Sequence, residues 1–195
     1  MNKTKIIPLL KLKKMSTNNT DQPISLREKG ELNFKDTAIK FGIITGLVSI
    51  ILSLIFYFID VEYDSWSRYV SILISMILVF IGVKNIAAEN ANKLISFGSL
   101  FKAGMLITLI LAIISIAYFF IYTNFINTDF MDGLMQVQKE QMADKGLSEE
   151  KIETAMEMAQ KFSSPIFMTI TSFITFIVIG AISSAIGAAI YKKEK

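Results

Sequence analysis

Residues 41–59 read FGIITGLVSIILSLIFYFI, nineteen consecutive positions without a charge. Wound as an α-helix at about 1.5 Å per residue, the run is roughly 28 Å long, close to the hydrocarbon thickness of a bilayer. It lacks the polar face that a surface helix of a water-soluble protein presents, and it does not alternate with the period of two of a barrel strand. Three further runs follow at 67–86, 103–122 and 166–191. In the second, only Tyr69 to Val83 is free of charge, so Arg68 and Lys84 must extend toward the interfaces. The composition agrees: of 195 residues 52% are hydrophobic and 19% charged, and the mean hydropathy is +0.50, oilier than an ordinary soluble domain. The expected fold is all-α, an integral membrane four-helix bundle.

Lysine and arginine placement sets the expected orientation. Residues 1–40 carry nine of them, the segment from Lys84 to Lys102 carries three against Glu89, and the tail after Tyr191 three against Glu194. The first connection, 60–66, has none and holds Asp60, Glu62 and Asp64; the third, 123–165, has four lysines against eight acids. The positive-inside rule therefore puts both termini and the second connection in the cytoplasm. Residues 1–33 read as a flexible cytoplasmic tail preceding a membrane domain, 34–195. The apolar stretch Ile6 to Leu10 is too short for a secretory signal, and Met15 resembles an alternative start.

Cysteine and histidine are both absent, which removes thiol chemistry, imidazole bases and zinc or haem ligation through those side chains. The net charge of +3 and pI near 9.0 do not point to nucleic acid, because the basic residues flank spans and are not gathered on one soluble face. With no ionisable residue near the middle of a span, neither an energised transporter nor an intramembrane enzyme is expected, and no cofactor or metal. The implied partners are the lipid bilayer and either further copies of the chain or another membrane protein.

The third connection has helical spacing. Phe130, Leu134, Val137 and Met142 form one stripe, Lys145-Gly146 ends it, and Ser148 with Glu149 and Glu150 opens a second stripe of Ile152, Ala155, Met156, Ala159 and Phe162. Ser163, Ser164 and Pro165 end that helix. The expectation is an extracytoplasmic helical hairpin over about 128–163, packed on itself or lying on the bilayer surface. Its methionines fill a small core or form an adaptable partner-binding face. Its acids, Glu140 with Asp144 and Glu149, Glu153 and Glu157, stack at four-residue spacing; a solvated acidic face explains them better than a divalent-cation site.

Within the spans, small and hydroxyl-bearing residues recur on single faces: Gly42, Gly46, Ser49 and Ser53 in the first, Gly104, Thr108, Ala112 and Ser115 in the third, Gly180, Ser184 and Ala188 in the fourth, with Ser183 and Gly187 nearby. Such faces let helix backbones approach closely, so they are candidate packing surfaces within the bundle or between copies. The alternative is a polar path of a small permease or channel subunit. The first and third spans also align, Lys40-Phe41-Gly42 over Lys102-Ala103-Gly104 and Ser53 over Ser115, through either a duplicated hairpin or shared membrane composition. Before the third span, Ile95, Phe97, Leu100 and Phe101 alternate with Ser96, Gly98 and Ser99, which suggests a short interfacial segment that turns into the helix through Lys102 and Gly104.

Three stretches carry a resemblance: Phe97-Gly98-Ser99-Leu100-Phe101-Lys102-Ala103-Gly104-Met105, Gln136-Val137-Gln138-Lys139-Glu140-Gln141-Met142 and Lys145-Gly146-Leu147-Ser148-Glu149-Glu150. Through them the chain resembles, from about Asn33 to Lys193, a bacterial membrane family known as domain of unknown function forty-one ninety-nine. The resemblance implies a four-span bacterial membrane protein and no particular activity. The functional expectation is a non-enzymatic component that acts by association with membrane proteins or lipid.

Overall fold

The structure, a computed structural model, describes residues 33–162 and 164–193. Among them are six α-helices: α1 (Lys35–Phe58), α2 (Ser65–Glu89), α3 (Phe97–Ile121), α4 (Phe130–Asp144), α5 (Glu149–Phe162) and α6 (Pro165–Tyr191). A five-residue π-helical turn, Tyr122–Ile126, prolongs α3. The described residues contain no strand, only a bridge between Ile95 and Lys193. Apart from Asn33, the tail over 1–33 lies outside the described residues.

The helix ends follow from local chemistry. After α1 the amides of Asp60 and Val61 bond the carbonyls of Tyr57 and Phe56, a Schellman closure that puts Asp60 at φ 57°. The same closure ends α4, where Gly146 at φ 74° and Leu147 bond Ala143 and Met142. Ser96 and Ser164 cap α3 and α6 by accepting from the amides of Ser99 and Phe167 at 3.2 Å. The Ser96 cap corrects the reading of 95–101: helix α3 already begins at Phe97, because a serine that satisfies an orphan amide starts a helix where the hydropathy pattern alone suggested an interfacial turn. All four long helices likewise outrun the expected spans at one end or both.

Helices α1, α2, α3 with its π-turn, and α6 are long and apolar enough to cross a membrane, the makeup of a multi-pass membrane protein. Only 22–28% of the most apolar window of each is buried within the protein. The remainder faces outward, as in the stripe Ile166, Ile170, Ile174, Val178, Ile182 and Ile186 along α6, a continuous apolar surface that suits lipid and not water.

The four run alternately up and down. Gly42 and Gly46 on α1 meet Ile110 and Ile114 on α3 in parallel, whereas Gly104 and Gly180 meet Ser184 and Thr108 across an antiparallel α3–α6 pair. Helix α2 packs on α1 and α6, and α1 and α6 lie diagonally opposite. Asn33, Asn90, Ile95 and Lys193 gather at one end, termed basal: Asn90 exchanges hydrogen bonds with the Asn33 backbone at 2.8 and 3.2 Å, and Thr37 donates to Glu89. The tight core sits toward this end, with Val83, Ile86, Leu100, Ala103, Ile107 and Ala188 fully enclosed.

Candidate functional site

Of the small and hydroxyl-bearing residues singled out, Gly42, Gly46, Gly104, Thr108, Gly180, Ser184 and Ala188 lie in the helix seams. A Cβ added to Gly42 would stand 2.7 Å from Ile110 Cβ, and one on Gly46 2.8 Å from Ile114 Cγ2. On Gly104 it would meet Ser184 Cβ at 2.6 Å and on Gly180 Thr108 Cβ at 2.7 Å. Ala188 is fully buried in the basal core. Ser183, noted beside the fourth-span face, donates its Oγ proton to the Met76 carbonyl across the α2–α6 interface at 2.7 Å; Gly82, where a Cβ would lie 2.6 Å from Ile107 Cδ1, was not visible in the sequence pattern. Ser49, Ser53 and Ser115 instead line a cavity.

The glycines hold the bundle shut in its basal half. In the distal half, where Tyr118, Phe119 and Phe176 stand among the wall residues, the four spans border a cavity of about 230 Å³. Every span contributes hydroxyls: Ser49 and Ser53 from α1, Ser71 from α2, Ser115 and Tyr118 from α3, Thr169 and Ser172 from α6. The apolar part of the wall is Ile50, Ile116, Phe119 and Phe176. No wall residue is fully buried, so the cavity communicates with the surface. Ser53 and Ser115, equivalent in the alignment of the first and third spans, meet here.

The hydrogen bonding of the wall sets its character. Ser49 donates to Thr45 O at 2.9 Å and Ser71 to Ser67 O at 3.0 Å, each four residues back on its own helix. Tyr118 donates to Ser53 Oγ at 3.3 Å. These three protons are spent on protein oxygens, which leaves the lone pairs of Ser49, Ser71 and Tyr118 for the cavity. Ser115 Oγ is buried without a hydrogen-bond partner. Thr108 stands apart from this group, in the closed α3–α6 seam, where it donates to Gly104 O at 3.0 Å.

Above the cavity lies a cap that the sequence showed only as part of an acidic connection. Glu62 accepts hydrogen bonds from Tyr122 Oη and, at 2.7 Å, from Asn127 Nδ2; the Asn127 amide also reaches Tyr63 Oη at 3.3 Å. Tyr63 stacks on Phe130 with ring centres 5.6 Å apart, and Phe130 meets Tyr122 edge-on. Burial pushes the Tyr63 phenol above its usual 10, with the neighbouring carboxylates of Glu62 and Asp129 adding to the rise and the Asn127 hydrogen bond opposing it. Gly133 lets α4 close on this ring, since a Cβ there would stand 2.6 Å from Tyr63 Cζ. The start of α4 is thereby fastened to the first connection.

Helices α4 and α5 contact each other and border a groove of about 480 Å³, with Met135, Ile152 and Met156 beside Glu149, Glu153 and Glu157. Glu140 accepts from Gln136 at 3.1 Å. Among the described residues no three His, Cys, Asp or Glu side chains converge as metal ligands.

The family described as "protein of unknown function (DUF4199)" matches residues 40–193. No curated protein and no solved structure matches the chain. Since the match takes in nearly all of α1, the other three membrane-length helices and the cavity they enclose, the chain belongs to this family of unknown function.

Proposed function

We propose that this is a non-enzymatic protein of the bacterial inner membrane, acting by association, with the distal cavity as a place where it holds a small molecule or part of a lipid. The observation that carries this reading is the wall: hydroxyls from all four spans offer hydrogen bonds, while no carboxylate, amine or imidazole stands among them to activate a nucleophile or shuttle a proton. The alternation of basic and acidic connections supports cytoplasmic termini, which makes the α4–α5 hairpin extracytoplasmic and opens the cavity's half of the bundle to the outer leaflet. Partners in the membrane are further copies of the chain or another membrane protein, with no role for nucleic acid.

A second reading, a permease or channel subunit, is favoured by the same hydroxyl wall. It requires the α3–α6 seam at Gly104 and Ser184 to part, because Thr108 is fully buried in that seam and does not line the cavity of Ser49. Mass determination of the complex after gentle extraction, with copurifying proteins identified, tests the association. Single cysteines at Ser148 and Asn92 test the orientation: an impermeant thiol reagent added to intact cells labels only the first. Flux in proteoliposomes that is abolished by replacing Ser49 and Thr108 would replace the first reading by the second.

A further inference from the structure

The cavity's wall also specifies what it takes. Building on the binding role proposed above, we propose that its ligand is an uncharged amphiphile of the outer leaflet, a long-chain molecule whose polar end carries a hydrogen-bond-donating hydroxyl.

Depth is the first constraint. Thr169 lies four residues from the distal start of α6 and Ser49 nine from the distal end of α1, so at 1.5 Å per residue the cavity lies about 6–14 Å inside the bundle's distal face. In a hydrocarbon core about 30 Å thick, that is one leaflet's depth.

Charge is the second. The wall holds no ionised side chain, and an ion at that depth without a counter-charge is disfavoured by several kcal/mol. Glu62, the carboxylate of the cap, is already engaged by Tyr122 and Asn127.

Hydrogen-bond polarity is the third. Ser49, Ser71 and Tyr118 spend their protons on other oxygens and present acceptors, while Ser115, without a partner in the protein, keeps a proton to donate, so the wall matches a ligand group that both donates and accepts. An ether or ester oxygen would leave those acceptors unmatched, whereas a hydroxyl donates to one of them. Size is the last: 230 Å³ is below the 300–1,000 Å³ of a site that encloses a drug-sized molecule. It fits a head and its first carbons, and Ile50, Ile116 and Phe176 suit the latter.

The test uses the full chain in lipid nanodiscs and a ten-carbon primary alcohol bearing a diazirine, with the labelled residues mapped by mass spectrometry. The expected result is saturable labelling of the cavity segments around Ser53, Ser115 and Ser172, competed by decanol at least tenfold better than by its methyl ether, decanoate or decylamine. Ser49→Ala with Ser71→Ala, which removes two of the wall's acceptors, should erase the preference over the methyl ether while leaving the helical content unchanged. Competition by decanoate or decylamine equal to that of decanol overturns the uncharged class, and equal competition by the ether overturns the donor requirement; in both cases the binding role itself stands. Equal competition by glycerol overturns the membrane source. Labelling that does not saturate and falls only on the outward residues Ile51, Ile113 and Ile174 overturns this inference and the binding role together.

Discussion

Replacing Gly104 by alanine probes the contact on which the closed half of the bundle depends. The new methyl would sit 2.6 Å from Ser184 Cβ on one side and 2.9 Å from Val83 Cγ2 on the other. Neither is the far end of a flexible chain, and ordinary carbon contacts need about 3.5–4.0 Å, so α3 and α6 must separate by about 1 Å. The surroundings have no slack, because Ala103, Ile107, Ser184 and Ala188 are all fully enclosed. Overpacking of this kind costs about 1–3 kcal/mol, a shift of about 5- to 150-fold in the folding equilibrium. Gly98→Ala is the control, since a Cβ there has nothing within 4 Å and alanine is the better helix former. Unfolding in mixed micelles by increasing denaturing detergent, followed by circular dichroism, reads both variants. Adding Ser184→Gly to Gly104→Ala should restore at least half the loss, as residues in direct contact couple. The reasoning fails if Gly104→Ala is as stable as Gly98→Ala, or if the second substitution restores nothing.

Tyr122→Phe deletes a donor to Glu62 and should cost about 1–3 kcal/mol, seen as faster hydrogen exchange over 122–133 with the basal core unchanged. The raised Tyr63 ionisation means that folding favours the neutral phenol; its contribution is complete below pH 10 and lost as pH climbs through the folded value. The cap should therefore loosen on the alkaline side, and Tyr63→Phe should shrink that dependence in a hydrogen-exchange series across pH. Gly146→Val forces a branched residue into the left-handed conformation and should weaken the α4–α5 turn by roughly 1–2 kcal/mol, measured as increased exchange at Leu147 and Ile152.

Much of the fold was legible because its causes are local. An uncharged run such as 41–59 spans a bilayer through its own backbone hydrogen bonds, and Gly146 or Ser164-Pro165 ends a helix through chemistry within one turn. Even the start of α3 was available locally, in Ser96 three residues before the amide it caps. The candidate site was legible only in part. Ser49, Ser53, Thr108 and Gly104 were all recognisable as small or hydroxyl-bearing faces, yet nothing in their spacing separates the first pair, which lines a cavity, from the second, which closes a seam. That distinction depends on how each helix is rotated about its axis, and rotation is fixed only by packing against the other three.

By itself, then, the sequence determined that four helices suit a membrane, through hydropathy, length and capping that each segment carries alone. The tertiary structure decided which residues face one another. It paired Gly104 with Ser184 from eighty residues away, made Glu62 of an acidic connection the acceptor for Tyr122 and Asn127, and set Ser53 and Ser115 into one wall. Such pairings arise because four rods can touch closely where glycines coincide and must part where aromatic rings meet, a condition no single segment can express.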